Sequence, residues 1–586
     1  MSLPPPARSV EECHAILRGE DSPLCVIEEV VNGIKMKTYK NLPPSIRAVW
    51  EASAVHADKT YVVYENERYT YKEAHLKVAA LANQMKNEFG VKKGDRVAVI
   101  TRNYPDWIWI FWATVCIGAI SVPVNAWLTG PEMEYCITDS GSKLVFVDGE
   151  RAERLELHFG TLKKAGVKQM VICRSQKTYG MPTLDSIIAR GSAFTELPPV
   201  DIKMDDPATI FYTSGTTGKP KGALGSNRNY VTNLFNLMNG PFRSALRQGE
   251  PLPVPDPTLP QKCTLLSVPL FHATGCHSTL QAVTFGGSKL VLIYKWDPKS
   301  AMEIIQREKV NGIGGVPSMP WQILEHPDVE KYDLSSIESV GFGGAPSSRE
   351  LQQNIKRKFK SAMAGNGYGL TETSSLAIGN QGYDYDLNPG SIGFATLVND
   401  VKIVDENTGK EVPVGQSGEI WIKGPNVVLG YWNNPEATKK AITPDGYLKS
   451  GDIGHMDKNG YFYISDRAKD MLIRGGENIY SSEVENALYS HPAVMDCAVV
   501  PIPHKVLGEE VGAAVQLKPA YIGKVTQEDL QKHVRPLIAA FKVPIYIDLR
   551  TEPLERNANG KILKRDLKHE VADAYFKKTG LPKPKM

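Results

Sequence analysis

The stretch YTSGTTGKPKG, Tyr212–Gly222, is the most informative part of this 586-residue chain. It places three glycines, two lysines and four serine or threonine residues within eleven positions. The preceding residues, ATIFY (Ala208–Tyr212), form an apolar run typical of a buried strand, so the loop begins where a strand ends. Glycines let successive backbone N–H groups turn toward one centre, while hydroxyls and lysines add donors and positive charge. The pattern predicts an anion-binding loop suited to phosphate.

A P-loop is the obvious competing interpretation of this stretch. A P-loop needs a serine or threonine directly after its Gly-Lys pair to hold Mg²⁺. Here Pro220 follows Gly218 and Lys219, and the preceding Gly215 is only three positions back. A P-loop kinase or GTPase is therefore disfavoured, whereas a flexible surface loop stays open on this stretch alone.

Composition narrows the class of protein. The chain has 68 basic and 65 acidic residues, a net charge of +3 and 42% hydrophobic residues, as in a soluble globular protein with no charge excess for nucleic acid. The eight cysteines include no C-x-x-C pair, which favours neither a zinc site nor a disulfide framework and indicates a reducing compartment. Prolines and acidic residues near the N-terminus do not resemble a signal peptide, so secretion is not expected.

One charge-free apolar stretch, Trp107–Val124, reaches the minimum length of a membrane span. Pro105 and Asp106 fit the start of a helix, and Gly118 fits its end. The residues AISVPVN that follow indicate a short buried strand. A buried helix and strand are therefore favoured over an integral membrane span, and peripheral contact with a membrane stays open.

The order of patterns along the chain predicts an α/β fold. Helical and strand-like segments alternate over 59–148, which indicates a mostly parallel sheet covered on both faces. Residues 390–465 resemble a small antiparallel β unit, and 467–586 mix helix and strand signals. Six prolines within Gly240–Lys262 predict a surface insertion without regular structure. We predict a large N-terminal domain of layered α/β sheets plus the β unit, 1–466, and a smaller, mobile α+β C-terminal domain, 467–586.

Four further motifs follow the glycine loop in a fixed order. They are NGYGLTET (Asn366–Thr373), YLKSGDIG (Tyr447–Gly454), DRAKDMLIRGGENIYSSEVE (Asp466–Glu485) and ERNANGKILKRDL (Glu555–Leu567). With the loop, they resemble the adenylate-forming superfamily, which contains acyl-CoA synthetases, aryl-CoA ligases, luciferases and peptide-synthetase adenylation domains. The resemblance runs from about Asn41 onward.

The resemblance implies an AMP-forming acid–thiol ligase that uses ATP, Mg²⁺ and coenzyme A. In such enzymes a carboxylate attacks the α-phosphate of ATP, pyrophosphate leaves, and a thiol captures the acyl-adenylate. Two anions must meet during this reaction, so magnesium, lysine and oriented N–H donors are needed. The expected acid is a medium- or long-chain fatty acid, and an aryl acid such as coumarate or benzoate is the alternative.

The resemblance also implies a set of binding residues. Glu372 and Thr213 would hold Mg²⁺, since carboxylate and hydroxyl oxygens are ligands that magnesium accepts. Tyr368 would stack on adenine, and Asp452 would accept the ribose hydroxyls. The full nucleotide- and CoA-binding set is Thr213, Ser214, Gly215, Thr216, Thr217, Gly218, Lys219, Lys221, Gly344, Ala345, Pro346, Asn366, Gly367, Tyr368, Gly369, Asp452, Arg467, Lys469, Gly475, Gly476 and Glu477.

Four residues carry catalytic expectations by the same resemblance. Lys561 would bridge the carboxylate and α-phosphate, and Thr371 would contact that phosphate beside Glu372. His272 in PLFHATG would border the acyl pocket, with a buried structural histidine as the alternative. Lys469 falls at the hinge position, and rotation there would exchange Lys561 for a loop that contains Gly475, Gly476 and Glu477 and lines the thiol tunnel.

One feature departs from the family's pattern, and another bears on an alternative within the family. Arg474 follows Ile473 where the family often has lysine one position earlier, so phosphate contacts there are open. PLFHATGCHS holds no acid of the kind that recognises an amino group in peptide-synthetase domains. A luciferase-like oxygenase would carry the same motifs.

The sequence constrains the alternative function classes, the cellular location and the oligomeric state less than it constrains the family. A nucleotide-binding pseudoenzyme scaffold could lose Glu372 or Lys561, and both are present. A membrane acyltransferase would depend on 107–124 alone. Small residues and Met319 in Gly314–Trp321 would admit an aliphatic chain, whereas Trp321 could face an aromatic acid. The default location is the cytoplasm, the terminal PKM only loosely resembles a peroxisomal tripeptide, and a homodimer stays open.

Overall fold

The computed structural model describes most of the chain. The described residues are 3–213, 219–254, 256, 258–344, 349–360, 362–406, 408–467, 470–475, 477–557 and 560–583. Several predicted site residues lie outside them, namely Ser214, Gly215, Thr216, Thr217, Gly218, Ala345, Pro346, Lys469 and Gly476.

The first third of the chain alternates strands and helices. Its strands are β1 (Val26–Val31), β2 (Ile34–Tyr39), β3 (Thr60–Tyr64), β4 (Glu67–Thr70), β5 (Arg96–Ile100), β6 (Ile120–Pro123), β7 (Leu144–Asp148) and β8 (Gln169–Cys173). Its helices are α1 (Val10–Arg18), α2 (Ile46–Ala52), α3 (Tyr71–Asn87), α4 (Pro105–Cys116), α5 (Gly130–Ser140), α6 (Gly149–Leu155), α7 (Phe159–Lys164) and α8 (Leu184–Arg190).

The middle third continues the alternation. Its strands are β9 (Pro207–Thr213), β10 (Lys221–Ser226), β11 (Cys263–Leu266), β12 (Lys289–Leu292), β13 (Gly312–Gly315), β14 (Ser339–Gly343), β15 (Met363–Tyr368), β16 (Ile378–Gln381) and β17 (Phe394–Ala395). Its helices are α9 (Asn227–Arg247), α10 (Gln281–Phe285), α11 (Pro298–Glu308), α12 (Ser318–Leu324), α13 (Arg349–Lys358) and α14 (Tyr383–Leu387). A π-helix, Thr274–Leu280, leads into α10.

The last third is richer in strands. They are β18 (Asp400–Val404), β19 (Gly418–Lys423), β20 (Gly430–Tyr431), β21 (Leu448–Met456), β22 (Phe462–Arg467), β23 (Leu472–Arg474), β24 (Glu477–Ile479), β25 (Val494–His504), β26 (Gly508–Leu517) and β27 (Tyr546–Arg550). The helices are α15 (Pro435–Ala441), α16 (Ser481–Tyr489), α17 (Gln527–Val534) and α18 (Lys564–Thr579).

Two large sheets form the N-terminal part. One has seven strands in the order β20-β10-β9-β6-β5-β7-β8, and the other has nine in the order β17-β16-β15-β14-β13-β11-β12-β3-β4. The strands from β9 through β6, β5 and β7 to β8 are parallel, as are those from β3 through β12, β11, β13 and β14 to β15. The predicted α/β class with a mostly parallel sheet is confirmed.

Two smaller sheets complete the fold. Strands β18, β19, β21 and β22 form a four-stranded antiparallel sheet, as the pattern over 390–465 predicts. Strands β23 to β27 form a five-stranded sheet, in which only β27 pairs in parallel, and α16 and α18 pack on it. This is the predicted smaller α+β part of the chain.

The apolar stretch near residue 110 is a core element. Every residue of α4 is buried, and Gly118 follows it with φ +71°, a conformation that glycine adopts without strain. Among the described residues no helix is both long and apolar enough to cross a bilayer.

Helix α9 overturns part of one prediction. The segment after Gly240 was expected to lack regular structure, but α9 runs through Pro241 to Arg247. The Nε atoms of Arg243 and Arg247 donate to the two carboxylate oxygens of Asp384, at 2.7 and 3.0 Å, and all three residues are buried. Tertiary ion pairs therefore hold the end of the helix despite the hydrogen bond that proline removes.

Replacing Asp384 with alanine should destabilise the N-terminal part strongly. The change leaves two buried guanidinium groups without their carboxylate, which costs about 3–5 kcal/mol for a buried pair. A lower urea midpoint for unfolding, followed by tryptophan fluorescence, would measure the loss. Glu28→Ala removes an exposed partner of Lys35 and should change stability by less than about 1 kcal/mol; equal losses in the two variants would contradict the argument.

Candidate active site

A single large cleft, ≈ 2720 Å³ in volume, is lined by residues of both the large and the small parts of the chain. Thr213, Glu372, Asp452 and Lys561 all line it, although they come from four separate sequence motifs. The four residues that the sequence assigned to one ATP site therefore line one cleft.

The glycine loop connects the end of β9 to the start of β10. The Thr213 hydroxyl donates to the carbonyl of Lys221 at 3.4 Å, and both residues line the cleft. The Nζ atoms of Lys219 and Lys221 lie over the rings of Tyr135 and Tyr431, 4.8 and 5.0 Å from the ring centroids. Lys221 therefore places a positive charge on the lining of the cleft, where it can face an anion, whereas Lys219 does not line the cleft.

Glu372 follows β15 in a short turn that also contains Thr371. The Tyr431 hydroxyl donates to Glu372 Oε1 at 2.7 Å, and the Glu372 carbonyl accepts from the amide of Val428 at 2.9 Å. Burial, and then the Glu372 charge, raises the pKa of Tyr431, so this phenol stays protonated as a donor. Sequence reasoning missed Tyr431, because nothing next to it in VVLGYW indicates a contact with Glu372.

Close backbone packing shapes the turn around Glu372. Ser374 and Ser375 have φ values of 53° and 101°, in a region that side chains rarely adopt. A Cβ built on Gly369 would lie 1.4 Å from the Ser375 carbonyl oxygen. Glycine at 369 is therefore required for this turn.

The predicted nucleotide slot lies at the end of β15 and beside the middle of β21. The Tyr368 hydroxyl donates to Asp452 Oδ2 at 2.7 Å, and Asp452 is only 4% exposed. Asn366 is buried on β15, and Gly367 and Gly369 line the cleft with Gly344. Arg467 pairs with Asp452 in the β21–β22 ladder, and its side chain lies outside the description.

His272 borders the same cleft just before the π-helix. The amide of Thr274 donates to its Nδ1 at 3.4 Å. Loss of surrounding water, and then the charge of Lys561, lowers the pKa of His272 to about 3. The ring is therefore neutral at physiological pH and contributes shape and hydrogen bonding rather than charge.

Lys561 lies on a loop of the small part that reaches the large part. Its amide donates to Asn557 Oδ1 at 3.0 Å. A Cβ built on Gly560 would lie 2.7 Å from Val316 Cγ2, and one built on Gly344 would lie 3.7 Å from Lys561 Cε. The lysine therefore sits at the edge of the predicted nucleotide slot.

The predicted thiol-tunnel loop is elsewhere. Gly475 and Glu477 are exposed and do not line the cleft that contains Lys561. Arg474 beside them donates to both carboxylate oxygens of Glu510, at 2.7 and 2.9 Å, and this pairing raises its pKa. Its charge serves an ion pair within the small part of the chain.

A polar chain near the hinge was also missed from the sequence. Lys564 Nζ lies 2.7 Å from Glu485 Oε1 and donates to Ser481 Oγ at 2.8 Å, and Ser481 Oγ donates to Asp466 Oδ1 at 3.0 Å. Burial opposes the lysine charge, but Glu485 raises the pKa of Lys564 overall. The chain links α18 and α16 to β22, where the two parts of the molecule meet.

Two family models match successive parts of the chain. The AMP-binding enzyme model matches residues 49–432, and the AMP-binding enzyme C-terminal domain model matches 483–561, which includes Lys561. The chain belongs to the AMP-binding enzyme family. It is an adenylate-forming CoA ligase of the acyl or aryl class.

Relatives of this AMP-binding enzyme act on different acids. It is 32% identical to a feruloyl-CoA synthase of Amycolatopsis sp over 87% of this chain and 95% of that one. It is 33% identical to a long-chain-fatty-acid–CoA ligase of Bacillus subtilis over 90% and 94% of the two chains. A crystal structure of the anthranilate CoA ligase AuaEII with anthranoyl-AMP matches with a TM-score of 0.80 at 25% identity, covering 91% of this chain and 98% of that one.

Enzymes of this kind use ATP, Mg²⁺ and CoA. The side chains present fit the metal, because the Thr213 hydroxyl and the Glu372 carboxylate are hard oxygen donors on one cleft.

Proposed function

We propose that this AMP-binding enzyme activates a medium- or long-chain fatty acid as acyl-AMP and transfers the acyl group to CoA, with release of AMP and pyrophosphate. The observation that carries the choice of acid is a floor of glycines beneath the cleft. It offers a long flat surface rather than a compact pocket.

The glycines align because neighbouring strands are paired in register. Gly314 of β13 pairs with Gly341 of β14, and Gly341 pairs with Gly365 of β15. Two residues further toward the catalytic end, Gly343 pairs with Gly367. Residues in register on adjacent strands face the same side of a sheet. One face of β13, β14 and β15 therefore carries no side chains at these two rows of paired glycines.

The other face of these strands is filled. Ile313, Val340, Phe342 and Ala364 belong to the core cluster that contains α11 and α13 residues. The cleft above the glycine face is also lined by residues of two helices. They are Leu237 and Pro241 of α9 and Ala282 and Val283 of α10.

The floor is long enough for an extended chain. The cleft is lined from Gly344, near Lys561, along β14 to Ser339. At 3.3 Å per residue, the four steps from Gly343 to Ser339 span roughly 13 Å, enough for about ten carbons of an extended hydrocarbon. The space above the middle of the floor is open, because a Cβ built on Gly341 would meet no atom within 4 Å.

The proposed roles are those that the family resemblance implies for these residues. Thr213 and Glu372 hold Mg²⁺, Thr371 and the glycine loop bind the phosphates, and Tyr368 and Asp452 hold the nucleoside. Lys561 lies beside Gly344, which follows β14 in the same cleft, and we assign it the role of neutralising the carboxylate and the α-phosphate together. Rotation about Lys469, between domains 1–466 and 467–586, would then replace Lys561 with the Gly475–Glu477 loop.

An aryl acid is the second candidate, because Trp321 lines the cleft. The indole packs against the core cluster beneath α12, and Lys518 Nζ lies over it, 5.6 Å from the ring centroid. Because the core cluster and Lys518 already cover the Trp321 indole, less of the ring is available to stack on an aromatic acid. This favours the aliphatic candidate.

A panel of acids tests the proposal. Pyrophosphate release measured with and without CoA for C4 to C18 fatty acids, coumarate, ferulate and benzoate should peak among the fatty acids of eight or more carbons and depend on CoA for turnover. A peak among the aryl acids would overturn the choice of acid, and no release with any acid would favour a nucleotide-binding scaffold.

Filling the channel should shorten the preferred acid. Gly341→Leu places a side chain in open space on the glycine face, in a strand that tolerates it. We expect kcat/KM for hexadecanoate to fall about 100-fold, as for other sterically blocked pockets, while that for butanoate changes less than about threefold. Gly160→Leu, at an exposed position with open space around it, is the matched control; a uniform loss for all acids in Gly341→Leu would contradict the channel.

A further inference from the structure

One polar side chain interrupts the glycine floor. Gln381 of β16 pairs with Gly365, so the middle row reads Gly314, Gly341, Gly365, Gln381 across four strands. Gln381 lines the cleft, and its carboxamide forms no hydrogen bond with any residue that the structure describes. A carboxamide has two donors and an acceptor to satisfy, so this group has capacity for a ligand.

Two glycines make room for the carboxamide. A Cβ built on Gly240 of α9 would lie 2.0 Å from Gln381 Oε1, and one built on Gly365 would lie 2.4 Å from Gln381 Cγ. Alanine at either position would displace the side chain. The glutamine is therefore held between a helix and the sheet, over the floor of the channel.

A backbone acceptor lies on the same wall of the cleft. Pro241 has no N–H, so it cannot donate the usual helical hydrogen bond to the carbonyl of Leu237. Leu237 and Pro241 both line the cleft with Gln381. This part of the channel thus combines an amide side chain with a carbonyl that lacks its usual donor.

We propose that Gln381 is a specificity-determining residue that selects acids with a hydroxyl group on the chain. The inference rests on the proposed function, since it concerns the acid bound by that channel. A hydroxyl can accept from Gln381 Nε2 and donate to an acceptor such as the Leu237 carbonyl, whereas a methylene leaves both polar groups unpaired. Sites built to hydrogen-bond a hydroxyl reject the analogue that lacks it.

The position of the middle row indicates where the hydroxyl belongs. It lies two residues from the Gly343–Gly367 row, roughly 7 Å along the strands from the catalytic end. Together with the sideways step to β16, this places the hydroxyl about six to eight carbons from the carboxyl group of an extended chain.

The test compares kcat/KM for dodecanoate and for 7-hydroxydodecanoate in the full-length enzyme. In the unaltered enzyme the hydroxy acid should be preferred by about 10-fold, the effect of leaving the half-buried Gln381 carboxamide unpaired once the acyl chain covers it. Gln381→Leu should abolish or reverse this preference by raising kcat/KM for dodecanoate. Gln381→Met, of similar shape and without a donor, should behave like the leucine variant.

Three results bear on the inference. Gln416→Leu, at an exposed position that does not line the cleft, is the matched control and should keep the preference. Equal use of the two acids by the unaltered enzyme, or a preference that survives Gln381→Leu, would overturn the role of Gln381 and leave the fatty-acid ligase standing. Failure to activate either acid, with an aryl acid accepted instead, would overturn the proposed function itself.

Discussion

Replacing Lys561 with alanine should lower acyl-adenylate formation by about 100- to 1,000-fold, the loss typical of removing one group that stabilises developing charge. Thioester formation from supplied acyl-adenylate should fall less than about threefold, because CoA attack would use the other face of the small domain. The reason is position: Lys561 lies beside Gly344 in the cleft that contains Glu372 and Asp452.

The two half-reactions can be measured separately for this variant. Pyrophosphate exchange into ATP reports the first, and CoA consumption with purified acyl-adenylate reports the second. Lys524→Ala, which removes an exposed lysine of the small domain, controls for a general loss of charge and should change neither. Equal losses in both half-reactions of Lys561→Ala would refute the alternation of the two faces.

Replacing Glu372 with glutamine should lower activity by several hundredfold and raise the magnesium concentration needed for half-maximal rate. In the unaltered chain the Tyr431 hydroxyl donates to the Glu372 carboxylate at 2.7 Å. Glutamine keeps an oxygen that can accept this hydrogen bond. The change therefore removes mainly the negative charge that magnesium requires.

A magnesium titration at saturating ATP and acid checks this expectation. Tyr431→Phe removes the phenolic donor but leaves the carboxylate, so its magnesium dependence should shift far less. Glu528→Gln, at an exposed position in the first turn of α17, controls for net charge. An unchanged magnesium dependence in Glu372→Gln would exclude Glu372 as a ligand.

Much of the site could be assigned from short motifs, because each motif combines a local conformation with local chemistry. The strand that ends at Thr213, the turn at Gly369 and the cap of α9 at Ser226 depend on neighbours within a few residues. The family resemblance then assigned Lys561 and Asp452 to one ligand, and the fold places both on one cleft.

Tyr431 and Gln381 could not be found in this way. Tyr431 reaches Glu372 across 59 positions of sequence. Gln381 acquires its place only where β16 meets α9 at Gly240. Neither residue has a sequence neighbourhood that distinguishes it from an ordinary strand residue.

The sequence by itself determined the α/β class, the buried helix at 105–116, the antiparallel unit before residue 467 and the residue types of the nucleotide site. All of these follow from periodicity, turn residues and motif chemistry that act over a few positions. Tertiary structure alone decided that α9 continues past Pro241, that glycines of three strands form one floor, and that Tyr368 meets Asp452 across 84 positions. Strand register and helix–sheet packing are set by contacts between distant segments, and no local pattern encodes them.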